Sequence, residues 1–310
     1  MLPMDKLRQT VLITGANGFL GQKLIERLIP IPHYQIVATS KSENRNFIRG
    51  GYTYIPCDFA DVDALQVLLD EVRPDKIIHT AAISSVEACE NDPILCKKIN
   101  VETVYQLAQY CARHDKHLVH LSTDFVFDGK AGPYQENDIP NPCNAYGESK
   151  VASEQQLFST ACRAAVLRTI LVYGINGDSR RSNLVLWAKA QLQNNTPINV
   201  VSDQWRMPTF VDDLASACLQ AMKIEATGIF HISGDKMMSI LDIVHQVADF
   251  WGLDKSIINP IHAKDIGQDT NRPRATGFLL DKAKEVLNYV PTPFMESLQE
   301  INRQINYYSR

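Results

Sequence analysis

No apolar stretch in this chain approaches the roughly 18 residues that a bilayer-spanning helix needs. The opening Met1-Leu2-Pro3-Met4-Asp5-Lys6-Leu7-Arg8-Gln9 has neither the apolar core nor the small-residue cleavage site of a secretory leader. A cytoplasmic protein with no membrane partner is expected. Lys and Arg never cluster, and the formal net charge is −4; a nucleic-acid partner, which needs a concentrated basic surface, is therefore not expected. Any ligand that carries phosphate has to be met locally. The seven cysteines, at 57, 89, 96, 111, 143, 162 and 218, include no Cys-x-x-Cys and no histidine spacing of a zinc site. They read as reduced packing residues, and no metal is expected. Internal repeats and low-complexity tracts are also lacking.

What is there is ample core. Forty-five per cent of the 310 residues are apolar, enough for one large α/β unit or for a main domain with a smaller partner. Thr10 to Thr14 is a β-branched, apolar run that ends in Gly15-Ala16-Asn17-Gly18-Phe19-Leu20-Gly21, and the residues from Gln22 to Ile29 have a helical pattern. Strand, glycine turn and helix start are the parts of a dinucleotide-binding crossover. Glycines let the backbone approach a pyrophosphate, and the helix N-terminus supplies amide donors and a favourable dipole. A plain tight turn is the bland use of the same glycines, and their place between a strand and a helix near the N-terminus favours the nucleotide.

The second strand, Gln35 to Thr39, runs into Ser40-Lys41-Ser42-Glu43-Asn44-Arg45. An NAD site usually ends this strand with an Asp or Glu for the ribose hydroxyls, whereas a 2′-phosphate calls for hydroxyls and cations. Thr39, Ser40 and Lys41 are not acidic, so NADP(H) is preferred, with NAD(H) left open and a solvated loop as the alternative use of Lys41 and Arg45. A short third strand, Tyr52 to Pro56, leads to Cys57-Asp58-Phe59. The Asp58 carboxylate could accept from an adenine amino group, or either Asp58 or Asp61 could cap the next helix, 64–72. The fourth strand, Lys76 to His79, opens into Thr80-Ala81-Ala82-Ile83-Ser84-Ser85-Val86-Glu87, whose small residues suit either a cofactor against the backbone or close helix packing.

A long helix is expected from about Pro93 to His114, carrying Asn100, and a fifth strand from Leu118 to Leu121 delivers Ser122 and Thr123 at its carboxyl end. Ligands of open parallel sheets sit at those ends. Past a loop rich in Gly, Pro and Asn comes Asn144-Ala145-Tyr146-Gly147-Glu148-Ser149-Lys150. On a helix, Tyr146 and Lys150 lie one turn apart on one face. An ammonium about 4 Å from a phenol at an effective dielectric near 20 interacts by roughly 4 kcal/mol, enough to lower the phenol pKa by up to about 3 units. As a bare spacing, Tyr-x-x-x-Lys is expected by chance about half a time in such a chain; its context gives it weight. A sixth strand is expected over 165–173.

Strands alternating with helices, the strands almost continuously apolar, predict a doubly wound parallel sheet of the Rossmann type. Residues 1–173 and 207–235 are assigned to that NADP(H)-binding domain. Residues 174–206 and 236–310, where the alternation weakens and 176–183 is polar, are assigned to a smaller substrate-binding lobe at the sheet's carboxyl edge.

Together these residues resemble the extended short-chain dehydrogenase/reductase superfamily over nearly the whole chain. Gly15, Gly18 and Gly21 match its glycine motif, Thr123, Tyr146 and Lys150 its catalytic Ser/Thr-Tyr-Lys set, and Asn100 the helix asparagine that supports the lysine through water. Within it, Ser122-Thr123-Asp124-Phe125-Val126-Phe127-Asp128-Gly129, Asp203-Gln204 with Pro208-Thr209, and Arg272-Pro273-Arg274 resemble the dTDP-4-dehydrorhamnose reductases. The resemblance implies transfer of a hydride from NADPH to the 4-keto group of a nucleotide-linked 6-deoxy keto sugar, in dTDP-L-rhamnose synthesis. It implies a cofactor site of Gly15, Asn17, Gly18, Phe19, Leu20, Gly21, Thr39, Ser40, Lys41, Asp58, Phe59, Ala81, Ala82, Asn100, Tyr146 and Lys150. Ser84, Val86, Asp124 and Phe125 would line the sugar pocket, and Asn183, Trp205, Arg206, Arg272 and Arg274 would meet the nucleotide diphosphate, surface ion pairs being the other use of any such arginine. Phe125 stands where the signature usually has Tyr, and Trp205-Arg206 replaces a smaller pair with Gly, departures that bear on the sugar and the nucleotide. The same residues are similar to the β regulatory subunit of methionine adenosyltransferases, which binds NADP without catalysis, and to nucleotide-sugar epimerases and dehydratases. A homodimer is an assembly left open.

Overall fold

The computed structural model describes residues 8–177 and 182–308; the expectations for Met1 to Leu7 and for part of the polar 176–183 segment fall outside them. Seven strands form the central sheet: β1 (Gln9–Thr14), β2 (Tyr34–Thr39), β3 (Thr53–Tyr54), β4 (Lys76–His79), β5 (His117–Thr123), β6 (Arg163–Thr169) and β7 (Gly228–Ile232). Their order is β7-β6-β5-β4-β1-β2-β3, and every pairing is parallel. The order in which successive strands are added reverses between β1 and β4, which is where such a sheet opens a crevice for a ligand.

Five helices cover its faces: α1 (Phe19–Leu28), α2 (Val62–Val72), α3 (Thr103–His114), α4 (Ala145–Ser159) and α5 (Val211–Lys223). Alternate side chains of each strand supply the two cores, as a pleated strand requires. Val11 and Ile13 pack with Leu24 and Leu28 of α1 and Leu214 and Cys218 of α5. Leu12 faces the other way, toward Leu65 and Leu69 of α2 and Leu107 of α3. A third core joins the helices Leu184–Gln193, Ile240–Trp251 and Phe294–Tyr308 through Val185, Ala188, Val247, Leu298 and Ile301. Phe278, Leu280 and Ala283, from a segment expected in the smaller lobe, pack instead into the first core. Among the described residues no helix is long and apolar enough to cross a membrane.

Three expectations are corrected. The strand expected over 165–173 stops at Thr169, because Leu171 takes a left-handed φ of 39° and turns the chain out of the sheet before Val172–Tyr173 pairs with Thr209–Phe210. The helix expected from Pro93 to His114 is Pro93–Lys97, a π-helical turn over Lys98–Glu102, and α3. Such a wide turn, frequent at functional sites, holds Asn100 fully inside. Cys89 and Cys96 are joined in a disulfide, with Cα atoms 5.1 Å apart, and are not reduced packing residues. Ser85 and Asp92 cap two successive short helices, and this tight corner brings the two Cα atoms within disulfide range. Cys57, Cys111, Cys143, Cys162 and Cys218 are free.

Candidate active site

A cleft of about 640 Å³ opens at the carboxyl ends of β1 and β4. Its floor is the glycine turn. Gly15, at φ 66°, lies so close to β4 that a Cβ there would stand 2.7 Å from Ala81 N. A Cβ on Gly18 would come within 2.8 Å of Gly15 O, and one on Gly21 would run into the same oxygen. The turn therefore needs glycine at all three positions for its own closure, which leaves the start of α1 bare toward the cleft.

Gly15, Asn17, Gly18, Phe19, Leu20, Ser40 and Lys41 form one wall, and Asp58, Phe59, Ala81, Ala82 and Ser84 another. Gly21 and Thr39 support the wall from behind and do not line it. Asn17 has a use beyond the turn: its Nδ2 donates to Glu43 O (2.8 Å) and Tyr54 OH (2.9 Å), and its Oδ1 accepts from Arg45 N (2.8 Å). That side chain holds the loop after β2 against the cleft. Asp61 is the residue that caps α2, accepting from Asp63 N and Ala64 N, while Asp58 pairs with Lys41 at 3.0 Å. The Asp58 carboxyl is held below its usual value by the Ala60 amide first and then by Lys41. Among the lining residues that the sequence reading left out of the site are the polar Ser42 and Arg45 beside Lys41, and Thr80, Ile83, Ser122 and Thr169 at the strand ends. Arg45 Nε is buried without a hydrogen-bond partner, on a residue that lines the cleft beside Ser42. Its signal was a cation four residues after Lys41, in a loop that also reads as solvated.

At the other end of the cleft stand Tyr146 and Lys150. Asn144 caps α4, accepting from Gly147 N at 2.7 Å, so the helix begins immediately before Tyr146. Gly147 packs against Phe125 O with no room for a Cβ, and the Tyr146 ring meets Phe125 edge to face, centroids 6.1 Å apart. Thr123 ends β5 beside the phenol. The expectation of a lowered Tyr146 pKa is corrected: burial pushes the phenol up to about 12, the bond from Thr123 lowers it less, and the Asp124 carboxylate raises it. The spacing argument omitted desolvation. Lys150, also buried, is brought down to about 8, against a smaller upward pull from Glu154. Its Nζ bonds His120 Nε2 at 3.2 Å.

Asn100 lies deeper. Its Oδ1 accepts from Ile83 N (2.8 Å), and its Nδ2 donates to Ile83 O (3.0 Å) and Ser149 Oγ (2.9 Å). It fixes the cleft wall rather than lining it.

The residues expected around the substrate are largely bonded to one another. Asp124, 3% exposed, takes hydrogen bonds from Thr276 and from Thr123 Oγ1 (3.1 Å) and lies 3.8 Å from Arg206 Nε. Burial raises its carboxyl above the usual value, against Arg206 and the two threonines. Arg206 spends its other donors on the carbonyls of Trp205, Pro273 and Arg274. Arg272 pairs with Glu87 at 2.5 Å, Arg274 lies over the Trp205 ring, and Val86 is buried at a helix start. Among these expected substrate contacts, Ser84 and Asn183 reach the cleft wall; Asn183 also caps the helix Leu184–Gln193.

The family described as the RmlD substrate binding domain matches residues 9–306. A dTDP-4-dehydrorhamnose reductase of Aggregatibacter actinomycetemcomitans is 30% identical over 94% of this chain and 97% of its own length. The methionine adenosyltransferase 2 subunit beta of Xenopus laevis is 31% identical over 93% of this chain and 86% of its own. A crystal structure of dTDP-4-dehydrorhamnose reductase from Bacillus anthracis in complex with NADP superposes with a TM-score of 0.82 at 26% identity, covering 96% of this chain and 99% of that one. With a parallel sheet in this strand order, and Tyr146 and Lys150 on one face of the cleft, this chain belongs to the RmlD substrate binding domain family.

Proposed function

We propose that the protein is an NADPH-dependent reductase that delivers a hydride to the 4-keto group of a nucleotide-linked 6-deoxy keto sugar, as in dTDP-L-rhamnose synthesis. The observation that carries this reading is a single cleft with a hydroxyl- and cation-lined end at Ser40, Lys41, Ser42 and Arg45 and a Tyr146–Lys150 end 100 residues further along the chain. The first end suits a 2′-phosphate: the partnerless Arg45 Nε is a donor awaiting an acceptor, and a guanidinium fits phosphate geometry. NADPH is preferred over NADH on the same ground. Two of the proteins named above, that of Aggregatibacter actinomycetemcomitans and the solved one from Bacillus anthracis, are dTDP-4-dehydrorhamnose reductases, and the solved one holds NADP.

The bound cofactor supplies the hydride. Tyr146 supplies the proton: with its pKa at about 12 the phenol is fully protonated at neutral pH, which is the form a reduction consumes. Thr123 hydrogen-bonds the carbonyl oxygen as negative charge grows there. Lys150, charged at pH values below about 8, stabilises the phenolate that proton transfer leaves behind and holds the nicotinamide ribose. The test is a screen of dTDP-, GDP- and UDP-linked 4-keto-6-deoxy sugars with NADPH and NADH, read as loss of reduced-nicotinamide absorbance. Oxidation of NADPH by a dTDP-linked substrate is expected; no oxidation with any keto sugar would remove the reading.

A second reading is a cofactor-binding regulatory subunit, favoured by the 31% identity to a methionine adenosyltransferase 2 subunit beta. Co-purification of a synthetase, with no reductase turnover, would establish it.

A further inference from the structure

The reductase reading leaves two fully buried histidines under the active site without a role. His79 ends β4 and His120 lies on the adjacent β5, paired in register. Their rings stack at 5.5 Å with 16° between planes. Thr14 Oγ1 fixes His79 at Nδ1 (2.7 Å), so the His120 ring is backed by a held neighbour. Its Nε2 points at Lys150 Nζ (3.2 Å) and lies 3.1 Å from Ser153 Oγ. The Ser153 hydroxyl donates to Lys150 O at 2.7 Å, so Nε2 either donates to Ser153 Oγ or accepts from Lys150 Nζ, according to the tautomer. Its Nδ1 has no partner.

We propose that His120 is a positioning residue for Lys150, whose ammonium donates to Nε2 and is thereby kept charged and fixed beneath the cofactor. The catalytic consequence rests on the reductase reading; the interaction itself does not. A neutral imidazole is required, because a protonated ring would repel the ammonium and could not accept from it. Burial first, then the charge of Lys150 and the neighbouring His79, hold the His120 ring well below its ordinary pKa. The titratable groups that act on the pair are His79 from β4 and Glu154 from α4. Glu154 is committed to Arg168 and Ser122. His120 is therefore the ring in direct contact with the ammonium.

The experiment follows the Lys150 ε-carbon by NMR in NADP-loaded protein labelled with [6-13C]lysine, the resonance being assigned by its loss in Lys150→Met. His120→Phe keeps a ring in the stack without the acceptor and should lower the Lys150 midpoint by about one pH unit or more, a tenfold loss of the charged form above it. His120→Gln, which returns an acceptor near Nε2, should recover most of that shift. In the reductase assay the alkaline limb of turnover moves with the midpoint, while KM for NADPH changes less. An unchanged Lys150 midpoint in folded, NADP-binding His120→Phe would overturn the proposal. Should that variant not fold, 15N-histidine spectra of the wild type decide: an unprotonated Nε2 is expected, and a proton on Nε2 overturns it. These readouts need no sugar substrate, so failure to reduce any keto sugar would remove the reductase reading and leave this result standing.

Discussion

Two successive residues at the end of β5 reach two buried acid–base pairs that are built differently. Ser122 points to one side of the strand and donates to Glu154 at 2.5 Å; Thr123 points to the other and donates to Asp124 at 3.1 Å. Glu154 and Arg168 meet through two bonds, of 3.0 and 2.6 Å, with both side chains almost wholly enclosed. This pair ties α4, which carries Tyr146 and Lys150, to the neighbouring strand. Asp124 and Arg206 are 3.8 Å apart at Nε, and Arg206 satisfies itself on three carbonyls. That looser pair ties the strand end to the segments at 205–206 and 273–276. The lesson is that one charge pair is a close two-bond joint between α4 and β6, while the other is a single longer contact from the end of β5 to an arginine held by backbone carbonyls.

Removing one charge from each should separate them. Glu154→Gln leaves the Arg168 guanidinium buried without its counter-charge, and a loss of about 3–5 kcal/mol is expected in chemical denaturation. Asp124→Asn keeps an oxygen for Thr276 and leaves Arg206 its carbonyls, so about 1–2 kcal/mol is expected. A larger loss from Asp124→Asn would reverse the comparison. A third arginine sharpens it from outside. Arg45 has a free Nε and holds nothing at that atom, so Arg45→Ala should leave stability within about 0.5 kcal/mol. It should still weaken NADPH binding about tenfold with NADH unaffected; equal loss for both cofactors would refute its place at a 2′-phosphate.

The smallest effect is a pH dependence at the edge of the first pair. His231 lies 3.4 Å from Arg168, and burial first, then Arg168, lowers its pKa from 6.5 to about 3. His79 is lowered to about 3 by burial and Lys150. Between these values the unfolded chain binds protons that the folded chain refuses, so stability is present above the unfolded pKa and falls with pH. From pH 7 to 6 each ring should cost about 0.7 kcal/mol. A flat stability profile over that interval would mean that both rings titrate in the fold as they do in the unfolded chain, and a rise toward pH 6 that they are already protonated there.

What the sequence revealed was local. The glycine turn was legible because strand, turn and helix follow one another within 20 residues, and Tyr146 with Lys150 because a helix puts positions four apart on one face. The partners of Arg206, 67 and 68 residues away, and of Lys150, on a different strand, carry no such periodic signal. The pKa of Tyr146 came out in the wrong direction from spacing because a charge is visible in sequence and desolvation is not. Similarly, Cys89 and Cys96 are seven residues apart, and nothing in their spacing shows the sharp corner that joins them.

The central claim is that Tyr146 delivers the proton in a hydride transfer from NADPH. The direct measurement is single-turnover oxidation of pre-bound NADPH on mixing with dTDP-4-keto-6-deoxy-L-mannose, for the wild type and Tyr146→Phe side by side. The account predicts rapid loss of reduced-nicotinamide absorbance in the wild type, and a rate lower by about a hundredfold or more in the variant with NADPH affinity unchanged. Equal rates in the two proteins would contradict it.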